Sequence, residues 1–256
     1  MNQGTETTTL YSSKAEKYAK YRWDYAPQAV QTIIDSAQIS AESTVVDIGA
    51  GTGILTRHFV DKVKRIYAIE PNLAMRRCAV RDLGQHAAFR MIEGRAEATN
   101  LPQHSIDLIT VAQAIHWFEP QATKTEFSRI LKPRGWLSLL RNYGTNDKLA
   151  EAINRILVAE NGVDTSVESN LPAGKPMSYF YGHANFKKIN FPFTLQETWK
   201  YFFGALCSAA NMPDEDNPLY PNLERAARTV FDSYSTNDLL EVTGETELYL
   251  GQLSQP

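Results

Sequence analysis

The run Val45-Val46-Asp47-Ile48-Gly49-Ala50-Gly51-Thr52-Gly53-Ile54-Leu55-Thr56 (45–56) sets three glycines at alternate positions directly after an apolar stretch. An apolar run of this kind suits a buried strand, and glycines at its end permit a sharp turn and the close approach of a ligand. The pattern predicts a strand that turns into a helix carrying Ile54, Leu55, Phe59 and Val63 on one face. Outward from there, strands and helices alternate. Pro27 opens a helix before the first strand, and further strands are predicted at 65–70, 87–93, 105–113 and 135–140. Pro71-Asn72 begins a helix with Leu73, Met75 and Ala79, and another helix with Phe127, Ile130 and Leu131 stops at Lys132-Pro133. This alternation builds a parallel sheet with helices on both faces.

Past Tyr143 the rhythm changes. A helix is predicted near 147–160, then a loop with Gly162, Pro172, Gly174 and Pro176, a strand at 187–195, helices near 196–210 and 219–232, and alternating residues at 244–253. Two late strands beside the sheet, with helices between them as a cap, satisfy that order. Aromatics are dense from Tyr179 to Phe203, which suits either core packing or the wall of a substrate pocket.

Composition narrows the chemistry. The 256 residues are 43% hydrophobic, enough for a full core, and the formal charge of −3 provides no broad cationic field for nucleic acid or anionic lipid. A small-molecule partner fits better. Only Cys78 and Cys207 are present, which argues against a disulfide framework and a cysteine metal site, so no metal is expected. The first ten residues lack the pattern of an export leader, and no stretch approaches the roughly 18 apolar residues of a membrane span, so a cytoplasmic location is expected.

The glycine spacing is Gly49-x-Gly51-x-Gly53, with Ile54 where a dinucleotide fingerprint needs its third glycine. Asp47 aims a carboxylate at the turn, where a pyrophosphate would be repelled and an ammonium attracted. Glu70 follows 23 residues later, at the end of the second predicted strand, a position suited to ribose hydroxyls. Ribose plus a cation without phosphates describes S-adenosyl-L-methionine. The segments "VVDIGAGTG", "YAIEPNLAM", "EGRAEATNLP", "SIDLITVAQAIHW" and "FSRILKPRGWLSLL" together resemble the class I S-adenosylmethionine-dependent methyltransferases. The ending "VTGETELYLGQL" and the stretch around "TWKYFFGALC" are similar to the trans-aconitate methyltransferase-like, small-molecule branch.

The resemblance implies an α/β fold: a doubly wound, mostly parallel seven-stranded sheet with a helical cap. One domain would span 1–256, with an amino-terminal lid (1–26), a cofactor-binding core (27–143), cap insertions (144–240) and a closing strand (241–256). It also implies roles. Asp47 would engage the methionine amino group, and the backbone of Gly49, Ala50, Gly51 and Gly53 would lie along the methionine and ribose. Glu70 and Pro71 would border the ribose, Met75 would pack on adenine, and Ala96 and Glu97 would meet the adenine edge. Arg95 stands where many relatives carry an Asp that accepts from the adenine amino group. Gln113 falls where relatives line the reacting methyl.

His116 in "AQAIHWF" is the histidine nearest the expected chemistry and the candidate catalytic base; it could equally be a structural histidine beside Trp117. Tyr11, Tyr18 and Arg22 share one helical face that could close the site. Arg22 and Arg141 are candidate forks for a carboxylate, and Tyr11 and Trp117 complete the substrate-binding set. Arg76, Arg77 and Arg81 read as the solvated basic face of a helix. The fourth predicted strand lacks the Asp/Asn-Pro-Pro-Tyr/Phe element of nucleic-acid amino methylation. The expected partner is a small-molecule methyl acceptor, a carboxylate in the sharpest reading, with no nucleic acid and no membrane, on a monomer or homodimer. A phenol or amine acceptor, or a protein that binds the cofactor without turnover, is the alternative.

Overall fold

The computed structural model describes residues 11–155, 177–182 and 185–253. Parallel strands β1 (Thr44–Ile48), β2 (Arg65–Ile69), β3 (Phe89–Ile92), β4 (Ile106–Ala112) and β5 (Leu131–Gly144) form the centre of the sheet. Strand β6 (Phe186–Glu197) lies at the edge, and β8 (Leu239–Gln252) runs antiparallel between β5 and β6. The order is β3-β2-β1-β4-β5-β8-β6, with β7 (Ser235–Thr236) paired to β8. Edge placement explains how β6 tolerates Pro192.

The sheet therefore has eight strands where the sequence predicts seven. The extra strand is the two-residue β7, which returns into β8 through Asn237-Asp238, both at positive φ (53° and 59°), the geometry of a two-residue hairpin turn with primed twist. Strand β8 begins at Leu239, five residues before the predicted alternation at Gly244.

Alternation along β1 sorts the core. Val45 joins Ile66, Leu108, Leu140 and Leu248 on one face, under α2 (Pro27–Ser36), and Val46 and Ile48 join Ile109, Leu137 and Leu139 on the other, under α4 (Pro120–Ile130). Helix α1 (Ala15–Tyr21) crosses in front of α3 (Leu73–Leu83). Beyond β5, α5 (Asp147–Arg155), α6 (Trp199–Cys207) and α7 (Tyr220–Tyr234) share a separate apolar cluster that includes Leu149, Phe202, Leu223 and Phe231. The predicted loop with Gly162, Pro172, Gly174 and Pro176 lies outside the described residues.

Most of the aromatic-rich stretch is packing. Phe180 and Tyr181 are buried against the second sheet face, where the Tyr181 hydroxyl donates to the carbonyl of Tyr249 at 2.9 Å. Phe202 does both jobs: it belongs to the cap core and lines a cavity described below.

The helix expected after the glycine turn does not form. Residues 54–63 make turns and a single 3-10 turn, Thr56–His58, although Ile54, Leu55, Phe59 and Val63 are all buried as that face required. The Thr56 hydroxyl donates to Asp47 at 2.6 Å, a side-chain bond that competes with regular helix geometry.

Candidate functional site

The glycine turn is pinned to the end of β2: the amides of Gly49 and Ala50 both donate to the carbonyl of Ile69, at 2.9 and 3.0 Å. Gly49, Gly51 and Gly53 all have positive φ. Their surroundings divide them. A Cβ on Gly51 would meet nothing within 4 Å, whereas one on Gly49 would sit 2.4 Å from Ala114 Cβ. A Cβ on Gly53 would sit 2.8 Å from Leu83 Cδ1, and this glycine does not line the cavity that its neighbours line. The space beside Gly53 is thus taken up by packing against Leu83 and Ala79. Gly49→Ala combines a strained φ with a rigid overlap, so it should destabilise the fold by about 1–3 kcal/mol in urea denaturation; an unchanged midpoint would contradict this geometry.

Two buried carboxylates stand behind the turn. Asp47, 1% exposed, accepts from the hydroxyls of Thr56 and Thr110 (3.2 Å). Burial dominates its ionisation and lifts its pKa to about 6, against the hydroxyl bonds; the nearby Glu70 charge adds to the rise. Glu70 accepts from the amide of Asn72 through Oε1 (2.8 Å) and from that of Gly51 through Oε2 (2.9 Å). Burial raises its pKa as well, opposed by those two amides and by Arg76. Asn72 also caps α3, its side chain accepting from the Met75 amide at 3.0 Å. Arg76 is not part of a solvated basic face: it donates to the carbonyls of Glu70 and Pro71 and to Glu93, locking the end of β2 to α3.

Asp47, Gly51, Glu70 and Asn72 line a narrow cavity of ≈130 Å³ together with Pro71, Met75, Arg95, Ala96, Glu97, Gln113, Trp117 and Phe118. Tyr11 and Tyr18 close it from the amino-terminal side, packing on Met75 and edge-on to each other at 5.8 Å. Glu97 accepts from the amide of Glu119 at 2.8 Å and pairs loosely with Arg95 at 3.8 Å. Gln113 holds a positive φ of 53°, fixed by its side-chain bond to the carbonyl of Asn142 (2.8 Å). Such a backbone at a non-glycine residue costs energy and is found where a site needs it.

A second cavity of ≈580 Å³, in the usual range for small-molecule sites, lies beyond Gln113. Tyr11, Tyr18, Tyr25, Ile54 and Gln113 line both cavities, so they form the wall between them. Arg22, His116, Arg141, Tyr143, Glu197 and Phe202 are among the other lining residues of the second. Trp117, expected on the substrate side, lines only the first cavity, where its ring meets Tyr11 edge-on.

The two arginines differ. Arg141 Nε is spent on Glu247 at 2.6 Å, a carboxylate 1% exposed that it shares with Lys188. Arg22 lies over the Tyr18 ring at 5.0 Å, and its Nε is buried without a hydrogen-bond partner. Among the described residues it has no acidic partner. His116 is held near a pKa of 4 by burial, so its imidazole is neutral at neutral pH. Sequence reading does not single out Tyr25, Asn72, Glu197 or the partition residue Ile54 as site residues. Tyr25 is within its reach, since it continues the aromatic run that supplies Tyr18 and Arg22.

Two buried acids beside an open glycine and a positive-φ turn fit a ligand with an ammonium group and hydroxyls. The described residues contain no cluster of His, Cys, Asp or Glu suited to a metal, and none of their helices is long and apolar enough to cross a membrane.

Comparison with known proteins gives the class. Residues 46–139 match the methyltransferase domain family, so this span is a methyltransferase domain. An uncharacterized methyltransferase of Mycobacterium tuberculosis is 33% identical over 132 residues, 52% of this chain and 51% of that protein; another from Schizosaccharomyces pombe is 32% identical over 130 residues, 50% and 51%. The chain thus spans about half the length of the curated relatives it matches. Among solved structures, a candidate type II methyltransferase of Anaeromyxobacter dehalogenans superposes with a TM-score of 0.64 at 17% identity, covering 91% of this chain and 98% of that one. The YcgJ protein of Bacillus subtilis does so with 0.56 at 19% identity, covering 90% and 100%. These two establish the fold.

Proposed function

We propose that the protein is an S-adenosylmethionine-dependent methyltransferase that methylates a small organic acid on a carboxylate oxygen. The observation that carries the acceptor is Arg22, a cation without an acidic partner among the described residues, lining the cavity that adjoins the acid-and-glycine cavity. A guanidinium fork suits a carboxylate through paired hydrogen bonds, and the aromatic and aliphatic remainder of the wall suits an apolar body.

In this reading the first cavity holds the cofactor. Asp47 neutralises the ammonium of the methionine part, Glu70 accepts from the ribose hydroxyls through lone pairs that Gly51 and Asn72 leave free, and Met75 and Ala96 flank the adenine. When bound, S-adenosylmethionine supplies a methyl carbon on a sulfonium. The residues of this chain then have to align the reactants, because an in-line displacement needs the acceptor oxygen, the methyl carbon and the sulfur on one line, with water excluded. Gln113, Tyr11 and Tyr25 stand at the partition where that line would pass. Arg22, resting on the partition residue Tyr18, would hold one oxygen of the acceptor carboxylate and leave the other to attack the methyl carbon. A carboxylate arrives without a proton, so no base is required; His116, neutral where it sits, would be needed only for a protonated nucleophile.

Calorimetry tests the cofactor half. The protein should bind S-adenosylmethionine and S-adenosylhomocysteine but not a nicotinamide dinucleotide, and Glu70→Ala should weaken both by about tenfold or more, because charge-assisted hydrogen bonds are lost. Unchanged affinity in folded Glu70→Ala would remove the ribose assignment. Methyl-labelled cofactor with mixtures of acids, read as a mass shift, tests the acceptor half and separates an enzyme from a protein that only binds.

A further inference from the structure

Glu197 is a second uncompensated charge in the same cavity as Arg22. It closes β6, is 7% exposed, and lines the cavity. Its Oε1 accepts from the Trp23 indole at 2.7 Å, and its Oε2 accepts no hydrogen bond among the described residues. No cation pairs with it there. Trp23 is itself held edge-on to Phe193 at 5.6 Å, so the carboxylate is fixed by a packed ring rather than by a mobile neighbour. The acids that bond the lining residues Arg141 and Tyr143 are already engaged: Glu247 is bridged by Arg141 and Lys188, and Glu245 accepts from Tyr143 and Asn190.

A buried carboxylate with one neutral donor is costly unless something completes its partners. Nothing among the described residues does so for Glu197, and no acid there pairs with Arg22, whose guanidinium rests on the Tyr18 ring with its Nε unpartnered. Glu197 and Arg22 come from chain segments far apart in sequence, and both border one chamber. A fold that leaves a buried anion and a half-buried cation unpaired, both bordering the same space, is complementary to a ligand bearing the opposite pair.

We infer that the acceptor is zwitterionic: a small molecule whose carboxylate meets Arg22 and whose protonated amine meets Glu197. This rests on the proposed methyl acceptor site and narrows its substrate class. A second carboxylate on the acceptor would face Glu197 and be repelled, so amino acids are preferred over the dicarboxylic acids that Arg22 alone would admit.

The test uses the full chain loaded with S-adenosylhomocysteine. The probes are linear ω-amino acids from β-alanine to ω-aminocaprylate, each with its ω-hydroxy, ω-carboxy and unsubstituted counterpart of equal length. For at least one length, the amino member should bind about tenfold tighter than its three counterparts, reflecting a charged hydrogen bond. Glu197→Gln keeps an acceptor for the Trp23 indole, so it should erase that preference while leaving the affinity for S-adenosylhomocysteine and for the unsubstituted acid within about threefold. Equal binding of amino and unsubstituted members overturns the inference, as does a preference that survives Glu197→Gln. Hydroxy members that bind as tightly as amino members reject the charge and leave only a dipole. If no amino member binds to protein that does bind S-adenosylhomocysteine, the inference also fails, and the cofactor reading stands. Failure to bind S-adenosylhomocysteine would instead overturn the proposed function itself.

Discussion

Arg22→Gln is expected to lower kcat/KM for the methyl acceptor by about ten- to a hundredfold, while the affinity for S-adenosylhomocysteine stays within about threefold. The guanidinium lines the acceptor cavity, rests on the Tyr18 ring and has a buried Nε without a partner. Removing it removes a charge that pairs with no acid among the described residues. Arg141 makes the contrast. Both arginines look alike in sequence, but Arg141 already shares the buried Glu247 with Lys188, so Arg141→Gln should cost acceptor turnover far less and stability more. His116→Gln should also have a small effect, since a carboxylate needs no base. Steady-state kinetics on the three variants settles the order. If His116 proves indispensable and Arg22 dispensable, the acceptor is a hydroxyl or amine and the carboxylate reading falls.

The parts of the site that lie within one βα unit were legible in sequence, because short-range spacing fixes them. Asp47, Gly49, Ala50, Gly51, Glu70, Pro71 and Met75 come from two adjacent parallel strands and the helix that follows, and all border one cavity. Spacing alone could not separate Gly53 from Gly49 and Gly51. What distinguishes it is Leu83, a contact set by how α3 packs back on the turn. The missing helix after the turn has a similar cause: the Thr56 hydroxyl bonds to Asp47, and periodicity does not reveal that competition. Strand β7 escapes a sequence reading because the helix before it runs straight into it and it is only two residues long, leaving no alternating stretch to read. Glu197 was the least legible of all. Its indole partner is 174 residues away, so only the folded sheet brings the two together. The cavity wall between cofactor and acceptor was partly readable as the Tyr11–Tyr18–Arg22 set, although not as one helical face. Only Tyr18 lies within α1; Tyr11 comes from the turns before it and Arg22 is its extended C-cap, and both meet the Tyr18 ring.

Asp47→Asn should move stability and binding in opposite directions. The folded carboxylate ionises near 6 where an ordinary aspartate ionises near 3.8, chiefly because it is buried. A raised carboxylate pKa means that the folded state holds its proton longer than the unfolded state. This group's contribution to stability is therefore complete below about pH 4 and is lost as pH rises through about 6. Near pH 7 the ionised, buried Asp47 costs the cofactor-free protein about 3 kcal/mol on that scale. Asparagine keeps the shape, with its Oδ1 accepting from Thr56 and its Nδ2 donating to the Thr110 hydroxyl, but carries no charge, so the variant should gain about 1–2 kcal/mol near pH 7 and almost nothing near pH 4. His116 works with the opposite sign, its pKa held at about 4 by burial, so its contribution is present above 6.5 and lost on acidification. Subtracting the Asp47→Asn stability from that of the parent at each pH cancels His116 and isolates the aspartate. Binding should respond the other way. In the parent, the cofactor's ammonium meets an ionised Asp47 only after its proton leaves, so S-adenosylmethionine affinity should climb between about pH 5 and 7. In Asp47→Asn that climb should flatten, with affinity near pH 7 reduced by about tenfold or more. A variant that is less stable near pH 7, yet binds S-adenosylmethionine as the parent does, would show that Asp47 serves the fold and not the cofactor.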